Sequence, residues 1–324
     1  MSRSNFPNGF ASGVTIRGLP LQQLHPGNVF WVSNTSILPD GAEVSPSNGN
    51  DGSFLRPFKT IDYAIGQCKA DRGDIIFVQA GYTETLANAT SLVMDVAGIA
   101  IVGLGIGSLR PTLTFSATGS NIPVTAENMS ITNIFCQSSV ENCTAVFTAT
   151  GTATPKNLTI EGCEFHDMLV DDSFKAIVAG NATTGCLDYF TFKNNRFYAL
   201  DATAANTTIK IIIASDHVTL ADNWILTPAL TDTAALATLG NKVMLDLAIK
   251  GNRVFRPSTG SAGGTLFSGT GACTGLVSDN YVWHLDASAG LLATTGQGLG
   301  FFQNFCPITG NADNSGLINP AASA

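Results

Sequence analysis

Apolar and polar residues alternate along this chain in a short phrase that returns about every thirty residues. The phrase reads apolar, polar, apolar, two small or polar residues, usually Asn, one further residue, and apolar again. Its clearest copies are Leu158-Thr-Ile-Glu-Gly-Cys-Glu-Phe165, Phe190-Thr-Phe-Lys-Asn-Asn-Arg-Phe197, Val218-Thr-Leu-Ala-Asp-Asn-Trp-Ile225 and Leu247-Ala-Ile-Lys-Gly-Asn-Arg-Val254. Weaker copies span 129–135, 275–282 and 299–306. Aligned on its Asn, the column holds Asn133, Cys163, Asn195, Asn223, Asn252, Asn280 and Asn304, in steps of 30, 32, 28, 29, 28 and 24 residues. A repeat of this length is too short to bury its own apolar face, and stacking copies buries it. The pattern therefore predicts a β-solenoid. Counting the strands at 75–78 and 99–101 as early turns gives about eight or nine rungs, a rod on the order of 40 Å long at ~4.8 Å per rung.

The alternation also assigns faces. Two residues past the Asn column stand Phe135, Phe165, Phe197, Ile225, Val254, Val282 and Cys306, read as an inward stack. Outward positions on either side of it hold Ile134, Glu164, Arg196, Trp224, Arg253, Tyr281 and Phe305, and Cys136, His166, Tyr198, Leu226, Phe255, Trp283 and Pro307. The strand before the column turns Thr159, Glu161, Thr191, Lys193, Thr219, Ala221, Ala248 and Lys250 outward. One outer face is thus polar and the next aromatic. A continuous apolar face is rarely left to water, and interfaces are enriched in Trp, Tyr, Phe and Arg. Tyr198, Trp224, Leu226, Phe255, Tyr281 and Trp283 are the candidate contact residues. A loop folded over them is the structural alternative.

Outside the repeat the pattern changes. Residues 1–28 space single apolar residues (Phe6, Phe10, Val14, Ile16, Leu19 and Leu21) among prolines and glycines, which suits an extended arm that gains order on another surface. Residues 29–324 read as one domain: a cap over 29–74, rungs over 75–306 and a small, polar tail over 307–324. Within the cap, Thr60 opens a helix with Ile61, Ala64, Ile65 and Cys68 at helical spacing, suited to covering an open first rung.

Composition narrows the partners. Charged residues are only 12 % of the 324 residues and the net charge is −8, so no nucleic-acid partner is expected. No stretch has the length of a transmembrane helix and the first residues have no signal-peptide run, so no membrane association is expected and the protein is expected to stay in the cytoplasm where it is made. Seven cysteines without a CxxC pair argue for packing residues rather than disulfides or zinc.

At 48–85 the chain resembles a known family. Asn48-Gly-Asn-Asp-Gly-Ser-x-x-x-Pro-Phe-x-Thr-Ile61, followed by Gly73-Asp-Ile-Ile-x-Val-x-x-Gly-x-Thr-Glu-Thr85, is similar to the start of pectate-lyase-like right-handed parallel β-helices. The column Asn195, Asn223, Asn252, Asn280 and Asn304 resembles that fold's Asn ladder; Asn tolerates the left-handed region and can bond its counterpart one rung away. The opening phrase over 5–21, joined to Pro26-Gly-Asn-Val-Phe-Trp-Val32, is similar to tailed-bacteriophage virion proteins that carry a short arm before a β-helix.

Family enzymes cut acidic polysaccharides, and a hydrolase needs two acids on one face, roughly 5 to 9.5 Å apart. The best cluster here is Glu161, Glu164 and Asp167, beside His166, Asp171 and Asp172. Its columns run into Lys193 and Arg196 on the next rung, which reads as surface ion pairing. The four histidines share no column or metal-ligand spacing, and Gly103–Ser108 has no nucleotide-binding form. No catalytic residue, metal or cofactor is therefore assigned. The resemblance implies a virion structural protein, a head decoration or cement protein, homotrimeric and held to the major capsid protein or another virion protein by its arm. A tail spike or polysaccharide depolymerase acting on bacterial surface glycans is the alternative. A glycan-binding appendage using the Trp224–Trp283 face is a third reading.

Overall fold

The computed structural model describes residues 15–16, 19–20, 27–34, 44–149, 155–180, 186–200, 207–228, 234–239, 243–257, 265–268, 271–284 and 298–305. The chain winds into a parallel β-helix with three sheets. The first sheet has ten strands, from Val29–Val32 and Ile75–Val78 through Thr159–Glu161 and Thr191–Lys193 to Leu299–Phe302. The second has eight, from Thr83–Leu86 through Glu164–Asp167, Arg196–Tyr198, Trp224–Leu226 and Arg253–Arg256 to Tyr281–His284. The third has six, from Ile122–Pro123 to Thr265–Ser268. Six turns therefore carry all three sheets, where the repeat predicts eight or nine rungs. Earlier turns lack the third strand, and the first sheet alone keeps the full stack.

Two of the three strands per turn follow from the alternation, because their burial alternates too: Thr159–Glu161 is half-buried, buried, half-buried. The third is not legible that way. Phe147–Ala149 is buried at every position, and four of five residues in Ala176–Gly180 are buried. A strand enclosed on both faces has no polar beat to read.

Register makes the core. Ile131, Ile160, Phe192, Leu220, Ile249 and Val277 lie on successive first-sheet strands, and Leu113, Cys136, Phe165, Phe197, Ile225, Val254 and Val282 on successive second-sheet strands. All are at most 1 % exposed. Phe165 stacks on Phe192 with centroids 6.1 Å apart, joining the two sheets across the interior. Three positions correct the reading of the faces. Phe135 pairs with outward Glu164, and Cys136 with inward Phe165, so Phe135 points out while Ile134 and Cys136 are core. The repeat is shifted by one residue there, because Ile134, not Asn133, occupies the column that Cys163 continues.

A two-residue corner joins the first and second sheets. From residue 133 onward its first residue takes a positive φ: Asn133 57°, Gly162 62°, Asn194 55°, Asp222 55°, Gly251 66°, Asp279 57° and Gln303 49°. Its second residue is Ile134, then Cys163, and from Asn195 on the ladder Asn. The left-handed conformation thus belongs to the residue before the ladder, and the ladder Asn is kept for its amide. Backbone N–H groups of Asn195, Asn223, Asn252 and Asn280 donate to the Oδ1 of the next Asn at 3.0–3.2 Å. Each Nδ2 donates back to a carbonyl of the previous rung, from Ile160 for Asn195 to Val277 for Asn304, at 2.8–2.9 Å. These side chains are at most 1 % exposed, so the ladder satisfies amides that no water could reach. Cys163 occupies the column without an amide; its N–H still reaches Asn195 Oδ1 at 2.8 Å, and burial pushes its thiol up to about 12.

Val29–Val32 is itself the first strand of the first sheet, so the cap proper is the loop from 44 and the helix Ile61–Gln67. The motif at 48–61 builds it. Asn48 Oδ1 accepts from the N–H groups of Lys59 (2.9 Å) and Thr60 (3.2 Å), and its Nδ2 donates to Thr60 Oγ1 (3.1 Å). Thr60 in turn caps the helix by accepting from Tyr63 N–H. Gly52, at φ 76°, lies where a Cβ would come 2.3 Å from the Phe58 ring. Ile61, Ala64 and Ile65 are buried beneath the helix and close the first rung. Among the described residues no helix is long and apolar enough to cross a membrane.

Of the predicted arm, Phe6, Phe10, Val14 and Leu21 lie outside the described residues. Thr15–Ile16 and Leu19–Pro20 form a two-residue antiparallel pair.

Candidate functional site

The outer face of the second sheet changes character along the rod. Its early rungs present Thr83, Thr85, Thr112 and Thr114. From Phe135 onward the two outward columns become Phe135, Glu164, Arg196, Trp224, Arg253 and Tyr281, and Gln137, His166, Tyr198, Leu226, Phe255 and Trp283, with Phe305 bridged to Tyr281 at the end. All six contact residues read from the sequence are on this face and all are half-buried.

Their rings form one zigzag. Phe135 meets His166 edge-on at 5.0 Å, and His166 meets Tyr198 at 5.4 Å. Tyr198 and Trp224 are parallel within 2° at 6.3 Å. Trp224–Phe255 (5.7 Å), Phe255–Tyr281 (5.9 Å) and Tyr281–Phe305 (6.1 Å) complete a run of seven rings. Centroid separations of 4.5–7 Å are those of favourable aromatic pairs, so the ladder reinforces the sheet as well as coating it. The column rule finds the members, but not the zigzag. Which ring touches which depends on side-chain length across both columns.

Beside the rings runs a trough. Two concave stretches, of about 690 and 860 Å³, share Asp222, Gly251 and Arg253 and so are continuous. One wall is the aromatic face and the other is the corner that carries Asn194, Asp222, Gly251, Asp279 and Gln303. The Asp222 carboxylate lies across the next corner; a Cβ at Gly251 would come 2.2 Å from its Oδ1, so that rung requires glycine. Arg196 and Arg253 are exposed, and neither has a carboxylate within 4 Å among the described residues. The trough was not legible in the sequence, because it lies beside the columns rather than on them.

The three candidate acids are brought near one another but are occupied. Glu164 uses one oxygen for Arg110 Nη1 (2.7 Å) and the other for His166 Nε2 (2.8 Å). Its partner is thus Arg110, from an earlier turn, and not the stacked Arg196. Glu161 leaves from the first sheet's outer face and pairs with Lys193 at 3.1 Å, the pair the column predicts. Asp167 is 3 % exposed and accepts from the N–H groups of Leu200 (2.9 Å) and Phe174 (3.3 Å), holding two chain segments together. A general acid and base must face a common substrate, and these carboxylates face three ways. No group of three His, Cys, Asp or Glu with metal-binding proximity occurs among the described residues.

No protein-family model and no curated protein matches the chain. Among solved structures, a rhamnogalacturonan lyase aligns over 80 % of this chain and 69 % of its own, with 12 % identity and a TM-score of 0.43.

Proposed function

We propose that this chain is a non-enzymatic bacteriophage virion protein, of the head decoration or cement kind, that works by contact along its solenoid surface. The observation that carries the non-enzymatic reading is the contrast between the two candidate surfaces. Every candidate acid holds a structural partner, while the outer face of the second sheet presents seven rings and two guanidinium groups that have no carboxylate within 4 Å among the described residues. Surfaces of that composition bind. The virion assignment rests on the residue pattern over 5–32, with the arm as the attachment device. The mechanism is passive: a protein that binds the assembled shell better than its parts stabilises the shell by linkage.

Replacing both Phe6 and Phe10 with Ser tests this. The account expects the rod to keep its melting curve while particle binding is lost. Normal incorporation of the double variant would overturn the arm's role, and release of reducing ends from host surface polysaccharide by the wild-type protein would overturn the non-enzymatic reading.

A further inference from the structure

The trough repeats its chemistry every second rung. Arg196 is followed one rung on by Asp222 with Trp224, then by Arg253, then by Asp279 with Tyr281. At ~4.8 Å per rung the repeat is ~9.6 Å. That is close to the length of two pyranose units in an extended β-linked chain. Such a chain turns over at each sugar, so the same edge recurs every second unit. We propose that the trough binds an extended, uncharged, β-linked polysaccharide lying parallel to the solenoid axis, an inference that rests on reading this face as a contact surface.

Four features select that ligand. The site is an open trough continuous over several rungs rather than a closed pocket, so it suits a linear polymer. Its free charges balance: the Arg196 and Arg253 guanidinium groups stand against the carboxylates of Asp222 and Asp279, while Glu164 at one end is paired with Arg110, all in a chain of net charge −8, which gives a polyanion no attractive field. Planar guanidinium and carboxylate groups each make paired hydrogen bonds, which match vicinal hydroxyls on successive sugars. Trp224 and Tyr281 supply the apolar surface against which sugar C–H groups pack, each on the rung that carries an Asp. A helical α-linked chain would leave the axis after a few units and lose the register.

The test uses the full-length protein and calorimetric titration with cellohexaose and chitohexaose, against maltohexaose and hexagalacturonate. The expected result is binding of at least one β-linked neutral hexamer in preference to both controls. Trp224→Ala and, independently, Arg253→Ala should each weaken it about tenfold or more. Arg253 is exposed, so its variant folds even if the tryptophan variant does not. No binding of either β-linked hexamer, equal binding of maltohexaose, preference for hexagalacturonate, or binding indifferent to both substitutions would each overturn the proposal. Sedimentation of the same proteins separates the failures. Loss of oligomers on Trp224→Ala without glycan binding would assign the face to a second copy, leaving the contact reading intact. Cleavage of a bound hexamer would overturn the non-enzymatic reading while the binding site stands.

Discussion

At the scale of single residues, the corner between the first and second sheets divides its work between two positions. The first provides a left-handed backbone, which Asn, Asp or Gly supplies at low cost. The second provides an amide that neutralises buried backbone groups of its own rung and its neighbours. The phrase Asn-Asn at 194–195 and Asp-Asn at 222–223 shows both choices side by side. Reading the Asn column as the left-handed residue conflates them, since Asn suits both roles and sequence alone does not say which it fills. The slip at 133 has the same origin: Asn133 is the left-handed residue, and its Nδ2 reaches the carbonyls of Gly103 (2.9 Å) and Gly105 (3.0 Å), partly replacing a ladder amide one position early. The ladder has a measurable consequence. Asn252 uses its amide four times, accepting from the backbone N–H and Nδ2 of Asn223 and donating to Leu220 O and Asn280 Oδ1. Asn252→Ala strands those groups in a dry interior and should cost about 2–4 kcal/mol in denaturant unfolding. A loss under 1 kcal/mol, read as about a fivefold change in the folding equilibrium, would show that the ladder is incidental.

At the scale of elements, the cap and the first strand of the second sheet beneath it carry two opposed electrostatic devices. Burial alone would raise the Asp74 carboxyl, but Arg72 and the N–H groups of Lys69 and Asn28 hold it below the ordinary carboxylate range. That contribution is present above the unfolded-state value and is lost as pH falls through the lower folded value. Glu84 behaves oppositely. Burial raises its carboxyl, with Asp62 nearby adding to the effect, although the Tyr82 hydroxyl donates to it. Its raised value favours the folded state only while the group is protonated, and the advantage is lost as pH rises through the folded value. Glu84→Gln should therefore be more stable than wild type at pH 8, with the gain shrinking toward pH 4 in paired thermal melts. A gain that is constant across that range would contradict the assignment. These elements were half legible. The motif over 48–61 marks where the cap is, and the hydrogen bonds of Asn48 explain why those residues recur together. Nothing in the alternation marks the third sheet, whose strands Phe147–Ala149 and Ala176–Gly180 are buried on nearly every residue.

At the scale of the whole molecule, a solenoid is a stack of nearest-neighbour interfaces. Excising residues 195–222 removes one 28-residue turn and joins Asn194 to Asn223, which takes the ladder position that Asn195 held one rung earlier. The shortened rod should keep β-type circular dichroism and a cooperative melt at a lower temperature. Loss of folded structure would mean that rungs are not interchangeable and that the stack depends on a unique central contact. The surfaces follow the same logic: register converts a weak period in the sequence into continuous columns, which is why the aromatic face could be read from the chain. The trough beside it could not, because its concavity is set by the corner residues, with the Asp222 side chain lying across to Gly251 on the next rung.

The central claim is that this rod is a component of a phage shell, and counting it there tests that claim most directly. Quantitative mass spectrometry of purified particles, with the major capsid protein as internal standard, gives copies per particle. The account predicts a count on the order of hundreds, in fixed ratio to the capsid lattice. A handful of copies per particle, or none, would contradict it.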